Sequence, residues 1–170
     1  MNTAIKTKED LVSRYRMYRA DLDTQALEKM KQLADHGQKV HSMVITCADS
    51  RLDPNALFGA KPGELFILRS VANLIPPHDE GGGRFGTAAA IQFAVSVLKV
   101  NQVVILGHSH CGGVAACMHA GHEPNPADYI ANWVGMAVPA RDRVLKRLAD
   151  EVFRGDRGLM EEMEREVVRL

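Results

Sequence analysis

The segment VHSMVITC, residues 40–47, decides the fold of this chain of 170 residues. Up to its final cysteine it is a short apolar run rich in β-branched residues, which is typical of a buried strand. Similar runs follow at residues 65–68 and 103–106, and residues 86–100 are apolar on almost every side, as in a helix packed inside a protein. This alternation predicts an α/β domain with a mainly parallel central sheet of buried strands flanked by helices, whose ligands bind beyond the carboxyl ends of the strands.

Helical patterns flank this alternation on both sides. Before it, apolar residues recur at helical spacing in a charged background, at Leu11, Tyr15, Tyr18 and Leu22, and Asp23-Thr24 then offers a cap for a second helix that ends near Gly37. After it, three further helical segments are expected, at residues 129–138, 141–154 and 159–170. We therefore predict an N-terminal helical arm over residues 1–37 and an α/β domain over residues 38–170, within a single domain overall.

Composition narrows the class of partner. Lys plus Arg equal Asp plus Glu at 21 each, so no net field favours nucleic acid or an anionic membrane. No apolar run is long enough to cross a bilayer, and the amino-terminal residues lack the pattern of a signal peptide. Three cysteines, an odd number, fit a reducing compartment better than a disulfide framework. We expect a cytoplasmic protein that acts on a small molecule, with no nucleic-acid or membrane partner.

Three side chains that zinc favours follow the predicted strands. Cys47 ends the first strand, and His108 and Cys111 follow the third. Such a set holds zinc with a fourth position kept for water or substrate, and the glycines after Cys111 permit a tight turn into a helix whose dipole favours a thiolate. A His-x-x-Cys pair by itself is more often a buried cysteine beside a surface histidine. Its combination with a Cys-x-Asp-x-Arg segment at a neighbouring strand end favours a metal site.

Asp49 and Arg51 are candidate catalytic residues. They lie two apart in an extended segment, so the guanidinium group can bind the carboxylate while the carboxylate faces the metal. The alternative is an exposed surface ion pair, the commonest fate of such residues. Their position directly after Cys47 favours the metal site. His110, between two candidate ligands, is expected beside the metal shell or facing solvent, and Cys117 inside the protein.

Together these motifs resemble those of the β-class carbonic anhydrases. The matching segments are Cys47-x-Asp49-Ser50-Arg51, Pro62-Gly63-Glu64-Leu65-Phe66, Arg69-Ser70-Val71-Ala72-Asn73, Gly86-Thr87 and Gly107-His108-x-x-Cys111-Gly112. The resemblance implies a Zn²⁺ cofactor bound by Cys47, His108 and Cys111, with the catalytic pair of Asp49 and Arg51 at the metal. It also implies reversible hydration of carbon dioxide to bicarbonate and a proton by a zinc-bound hydroxide.

The substrate pocket resembles that of the plant-like subtype of this family, in which a glutamine and apolar side chains surround the substrate. The corresponding residues are Gln38, Phe66, Val71, Phe93 and Gly112. For the apolar residues among them, plain core packing is the alternative role. The other subtype carries a tryptophan where this chain has Val44, so its non-catalytic bicarbonate site is not implied.

Assembly is also implied by the resemblance. Family members are dimers or multiples of dimers with the active cleft at the subunit interface, so we expect a homodimer or a multiple of it, with residues 11–22 wrapping the partner. Family members usually continue beyond the equivalent of Leu170, so we expect this chain to lack the usual C-terminal part. Two other functions stay open, namely hydrolysis of carbon disulfide or carbonyl sulfide on the same scaffold, and a non-catalytic zinc-stabilised subunit.

Overall fold

The computed structural model describes residues 4–78, 85–121, 123 and 127–153, with side chains described up to residue 150. The chain divides into two compact units, Met1–Gln38 and Lys39–Leu170. None of the described helices combines the length and the apolar composition that crossing a bilayer requires.

The first unit contains two helices, α1 (Lys8–Asp21) and α2 (Thr24–His36). Thr7 begins α1 with a capping box, in which the Thr7 hydroxyl accepts from the Asp10 N–H at 3.1 Å and the Asp10 carboxylate accepts from the Thr7 N–H at 2.9 Å. Asp23 caps α2 by accepting from the Ala26 N–H at 2.7 Å, as the Asp23-Thr24 pair predicts. Neither helix contains a buried residue.

Among the residues described, the second unit is built on a parallel sheet of three strands in the order β2-β1-β3. These are β1 (Ser42–Cys47), β2 (Leu65–Ser70) and β3 (Gln102–Leu106). The parallel α/β prediction is confirmed, and residues 43–47 of the central strand are all buried. The prediction that β3 is buried is wrong. It lies at an edge of the sheet, and residues 103–105 are exposed in the described part of the chain.

Helices connect and follow the strands. They are α3 (Pro54–Phe58), a 3₁₀ turn (Val71–Asn73), α4 (Gly86–Gln92) continuing as a π-helical segment (Phe93–Leu98), α5 (Gly112–His119), α6 (Tyr129–Gly135) and α7 (Val138–Phe153). The predicted helix over 86–100 therefore forms, but its burial is wrong, since Ala94 is buried while Val97 is 61% exposed. This helix packs against one face of a narrow sheet, so the sides of the helix that point away from the sheet stay exposed. The helix predicted over 159–170 lies outside the described residues.

The core consists of small clusters around β1 and α5. Met43, Ile45 and Ala94 form the cluster between β1 and the π-helical segment. Cys47 belongs to a different cluster, with Ala72 and Cys111, at the carboxyl end of the strand. The end of the sheet at which ligands are expected is thus packed separately from the middle of the sheet.

Candidate metal centre

The carboxyl ends of β1 and β3 bring three potential metal ligands together. Cys47 is the last residue of β1, and β3 ends two residues before His108. Because the strands are parallel neighbours, both chain segments leave the sheet at the carboxyl end of the strands. The ligand atoms of Cys47, His108 and Cys111 lie within 4.8 Å of one another, and both cysteines are buried. A single ion could therefore contact all three side chains.

The two sulfur atoms have the separation that a shared metal requires. Cys47 Sγ and Cys111 Sγ are 3.9 Å apart and belong to free cysteines. Two thiolates on one tetrahedral zinc ion, each about 2.3 Å from it, would lie about 3.8 Å apart. Burial raises the pKa of the Cys111 thiol, and a bound cation would stabilise its thiolate. The donor set of two sulfurs and an imidazole suits zinc.

The orientation of His108 leaves one ring nitrogen available for a metal. Its Nδ1 is 3.0 Å from the Ser109 carbonyl, which can only accept a hydrogen bond, so Nδ1 carries the proton and donates. Arg51 Nη2 is 3.3 Å from the same nitrogen, but it has better acceptors elsewhere. In this tautomer Nε2 presents a lone pair. Nε2 is buried and has no hydrogen-bond partner among the described residues, as expected for a metal ligand.

Asp49 is held against this centre by Arg51. Its Oδ1 accepts from Arg51 Nε and from the Arg51 main-chain N–H, each at 2.9 Å, and its Oδ2 accepts from Arg51 Nη2 at 2.8 Å. These hydrogen bonds keep the pKa of Asp49 well below its ordinary value. Oδ2 lies 3.9 Å from His108 Nε2, so the ionised carboxylate faces the point where the ligands converge.

Arg51 also connects the two segments that supply the ligands. Its Nη2 donates to the carbonyl of His110 at 3.1 Å. His110 has a left-handed backbone with a φ of 53°, which turns the chain between His108 and Cys111. The side chain of His110 is exposed, and its carbonyl is the group that Arg51 binds.

Arg69 was not selected as a site residue from the sequence, yet it binds the segment that carries Cys47 and Asp49. Its Nε donates to the Cys47 carbonyl at 3.2 Å, and its Nη2 donates to the Asp49 carbonyl at 2.6 Å. Its position next to the carboxyl end of β2 was the available signal, because the neighbouring Ser70 pairs with Cys47 in the parallel register.

Gly113 was also not selected, and it sets how closely α5 approaches the 3₁₀ turn. A Cβ atom at Gly113 would lie 2.8 Å from the Cβ of Ala72 and 2.9 Å from Cγ1 of Val71. The turn is fixed from another side by Trp133, whose Nε1 donates to the Val71 carbonyl at 2.8 Å. Only glycine therefore permits this approach next to Cys111.

The predicted pocket residues fall into separate groups. Phe66 and Phe93 contact each other, with ring centroids 5.9 Å apart, and both pack in the middle of the sheet. Phe66 pairs with Met43, four residues before Cys47, which is about 13 Å along the strand. Val71 and Gly112 lie elsewhere, since Gly112 begins α5 directly after the candidate ligand Cys111 and Val71 packs against the neighbouring Gly113. Gln38 is exposed and is the last residue of the first unit. The pocket role of Gln38, Phe66, Val71, Phe93 and Gly112 stays a prediction.

Behind the ligands, the far end of α5 is held by a buried arginine of α7. Arg141 Nη1 donates to the carbonyls of Cys117 and Ala120, at 2.9 and 2.7 Å. Cys117 is buried, as expected from the sequence, and burial raises the pKa of its thiol. The helix that begins after Cys111 is therefore anchored at both ends.

Comparison with known proteins identifies the family. A family model described as carbonic anhydrase matches residues 42–170. Beta carbonic anhydrase 5, chloroplastic, of Arabidopsis thaliana is 37% identical over 134 residues, which are 79% of this chain and 44% of the relative. Beta carbonic anhydrase 6, mitochondrial, of the same plant is 43% identical over 109 residues, which are 64% of this chain and 37% of the relative. The chain thus spans less than half the length of these relatives.

A solved structure has the same fold. The beta-carbonic anhydrase CcaA superposes with a TM-score of 0.73 at 28% identity, over 94% of this chain and 67% of that chain. Because the family model covers most of this chain and the relatives are plant β-class proteins, the chain belongs to the carbonic anhydrase family, in the plant-like subtype of its β class.

Proposed function

We propose that this chain carries out the zinc-dependent, reversible hydration of carbon dioxide to bicarbonate and a proton. The observation that carries the proposal is the ionised carboxylate of Asp49, held by Arg51 at 3.9 Å from Nε2 of His108, a nitrogen with no hydrogen-bond partner in the described part of the chain. A purely structural metal site would not need a fixed carboxylate facing its ligands. Membership of the family, and the activity in the names of the two plant relatives, support carbon dioxide as the substrate.

The ligand set fits zinc, with Cys47, His108 and Cys111 as the holding residues. Zinc bound there would supply the acidification of a water molecule near neutral pH, which provides the nucleophile for hydration. Two thiolate ligands reduce the positive charge available for this chemistry compared with three imidazoles. Orientation by the surrounding side chains therefore has to supply more of the rate.

Asp49 supplies that orientation. As an ionised carboxylate it can only accept a hydrogen bond, so it holds the proton of the attacking water and directs the oxygen lone pair towards the substrate. Arg51 fixes the carboxylate through two side-chain hydrogen bonds and one from its main chain. His108 is fixed in the required tautomer by its hydrogen bond to the Ser109 carbonyl.

The substrate is proposed to bind against apolar side chains beside this carboxylate. Val71 is 45% exposed next to α5. A Cβ atom added at Gly112 would meet nothing within 4 Å, which supports open space at this end of the helix. Phe66, Phe93 and Gln38 keep their proposed pocket roles, although Phe66 packs in the middle of the sheet, away from the carboxyl ends of the strands, and contacts Phe93 there. These roles rest on the resemblance to the plant-like subtype.

A second copy of this chain is the proposed partner. The support is the exposed apolar surface of β3 and of the π-helical segment, where Ile105 is 53% and Val97 is 61% exposed. Residues of this kind are usually covered by another chain or segment. The cytoplasmic location stays a prediction, since the two plant relatives are named as chloroplastic and mitochondrial proteins.

Stopped-flow hydration of carbon dioxide by the full chain tests this function. We expect a rate above the uncatalysed rate that is abolished by a zinc chelator and restored by added zinc. Sulfide release from carbon disulfide or carbonyl sulfide, without carbon dioxide hydration, would instead indicate the alternative substrates. One bound zinc per chain with neither activity would contradict catalysis and indicate the non-catalytic subunit.

A further inference from the structure

We infer that Arg69 is a positioning residue, which holds the segment Cys47 to Asp49 and thereby sets the direction of the Asp49 carboxylate. The inference rests on the proposed function for its consequence in catalysis. The contact of Arg69 with this segment consists only of hydrogen bonds within the chain.

The segment in question leaves the sheet after Cys47, so its carbonyl groups pass beyond the end of the parallel ladder. The guanidinium group of Arg69 binds two of them, with Nε at 3.2 Å from the Cys47 carbonyl and Nη2 at 2.6 Å from the Asp49 carbonyl. Between these contacts the Ala48 N–H donates to the Ser70 carbonyl at 2.9 Å. Three consecutive residues of the segment are thus tied to the end of β2.

The two arginines of the site act on different parts of Asp49. Arg51 binds the carboxylate and the His110 carbonyl, whereas the contacts of Arg69 with this segment are to main-chain carbonyls. The Asp49 carbonyl also accepts from the Leu52 N–H at 3.0 Å, which closes the turn that carries Arg51. Arg69 therefore fixes the backbone from which the Asp49–Arg51 pair projects.

The geometry of this contact requires arginine. Two donors on one rigid planar group reach two carbonyls that lie two residues apart, and a lysine ammonium can replace only part of this arrangement. Arg69 is exposed and pairs with Thr46 in the register of the sheet, so its side chain is not needed to fill the core. Loss of its hydrogen bonds is expected to loosen the ligand segment while the sheet stays intact.

Hydrogen exchange of single main-chain amides, followed by NMR on the full metal-free chain, tests this role. The reporters are the N–H groups of Ala48, Arg51 and Leu52, and the references are those of Val44 and Ile45 in the buried part of β1. In Arg69→Met we expect exchange at the reporters to accelerate by roughly two- to tenfold for each net hydrogen bond lost. Arg69→Lys should give a smaller effect, and the references should not change in either variant.

Zinc affinity, measured by competition with a chelator, tests whether the hydrogen bonds of Arg69 also affect metal binding. We expect Arg69→Met to bind zinc about tenfold more weakly, as is typical when a group that supports a ligand is removed. Arg143→Met, on the exposed side of α7, is the matched control and should change neither readout.

Two results would overturn the inference. Unchanged exchange at the reporters would show that Arg69 does not hold the segment, and equal acceleration at reporters and references would show a general structural role. If the unmodified chain binds no zinc, the proposed function fails, whereas the exchange measurement still decides the role of Arg69.

Discussion

At the scale of the residue, the proposed chemistry of the site depends on how neighbouring groups control Asp49 and His108. Arg51 lowers the pKa of Asp49 through hydrogen bonds, and the Ser109 carbonyl selects the tautomer of His108 that exposes Nε2. Both effects arise within a few residues of the ligands. The effect on Asp49 can therefore be tested by single substitutions that leave the core intact.

Asp49→Asn should lower carbon dioxide hydration by about 100-fold or more, because an amide cannot hold the water proton in the same way. Zinc content, measured by atomic absorption, should stay at one ion per chain, since Asp49 is not one of the proposed ligands. Asp150→Asn, at an exposed position of α7, is the control and should retain full activity. Full activity of Asp49→Asn would contradict the role given to this carboxylate.

The lowered pKa of Asp49 predicts how its contact with Arg51 responds to pH. A carboxyl group with a lowered pKa in the folded state contributes stability above its ordinary pKa, about 3.9, and this stability is lost as the pH falls towards the lowered value. For metal-free protein, urea unfolding should give a constant difference between the unmodified chain and Arg51→Gln from about pH 8 to about pH 5. The difference should shrink below about pH 4. A change centred near neutral pH would contradict this assignment.

At the scale of the element, α5 connects the candidate metal ligands to the rest of the second unit. Its first turn packs on the Val71–Asn73 turn through Gly113, and its last carbonyls are bound by Arg141. The sequence predicted the helix and its glycine turn, since both follow from local residue types. It did not predict the close approach at Gly113 or the contact with Arg141, because these depend on segments distant in sequence.

Gly113→Ala should destabilise the chain by about 1–3 kcal/mol, the usual cost of forcing a methyl group into a packed interior. The added Cβ would meet the Cβ of Ala72 at 2.8 Å and the main-chain nitrogen of Ala72 at 3.2 Å, and the nitrogen cannot easily move. The neighbouring Gly112→Ala is the matched control, because its Cβ would meet nothing within 4 Å. Equal unfolding midpoints in urea for the two variants would refute this packing argument.

Arg141→Met should also destabilise the chain, by about 2–3 kcal/mol, because a buried charged donor is removed from two carbonyls at the end of α5. The exposed Arg143 of the same helix offers the comparison, and Arg143→Met should cost less than about 0.5 kcal/mol. Thermal unfolding of the metal-free variants measures both. Similar losses of stability for the two substitutions would mean that the hydrogen bonds of Arg141 to the end of α5 contribute little.

At the scale of the whole molecule, the sequence predicted topology better than burial. Strand and helix alternation and the ligand positions follow from residue patterns, so the parallel sheet and the grouping of Cys47, His108 and Cys111 were accessible in advance. The apolar character of β3 and of residues 86–100 predicts that both are buried. Burial depends on what covers an element, and the described part of this chain leaves both largely exposed.

Zinc X-ray absorption on the full chain tests most directly the claim that Cys47, His108 and Cys111 hold one ion. We predict two sulfur ligands at about 2.3 Å and an imidazole nitrogen at about 2.0 Å, with one sulfur lost in Cys111→Ala. A zinc shell made only of oxygen and nitrogen, unchanged by the Cys111 substitution, would contradict the account.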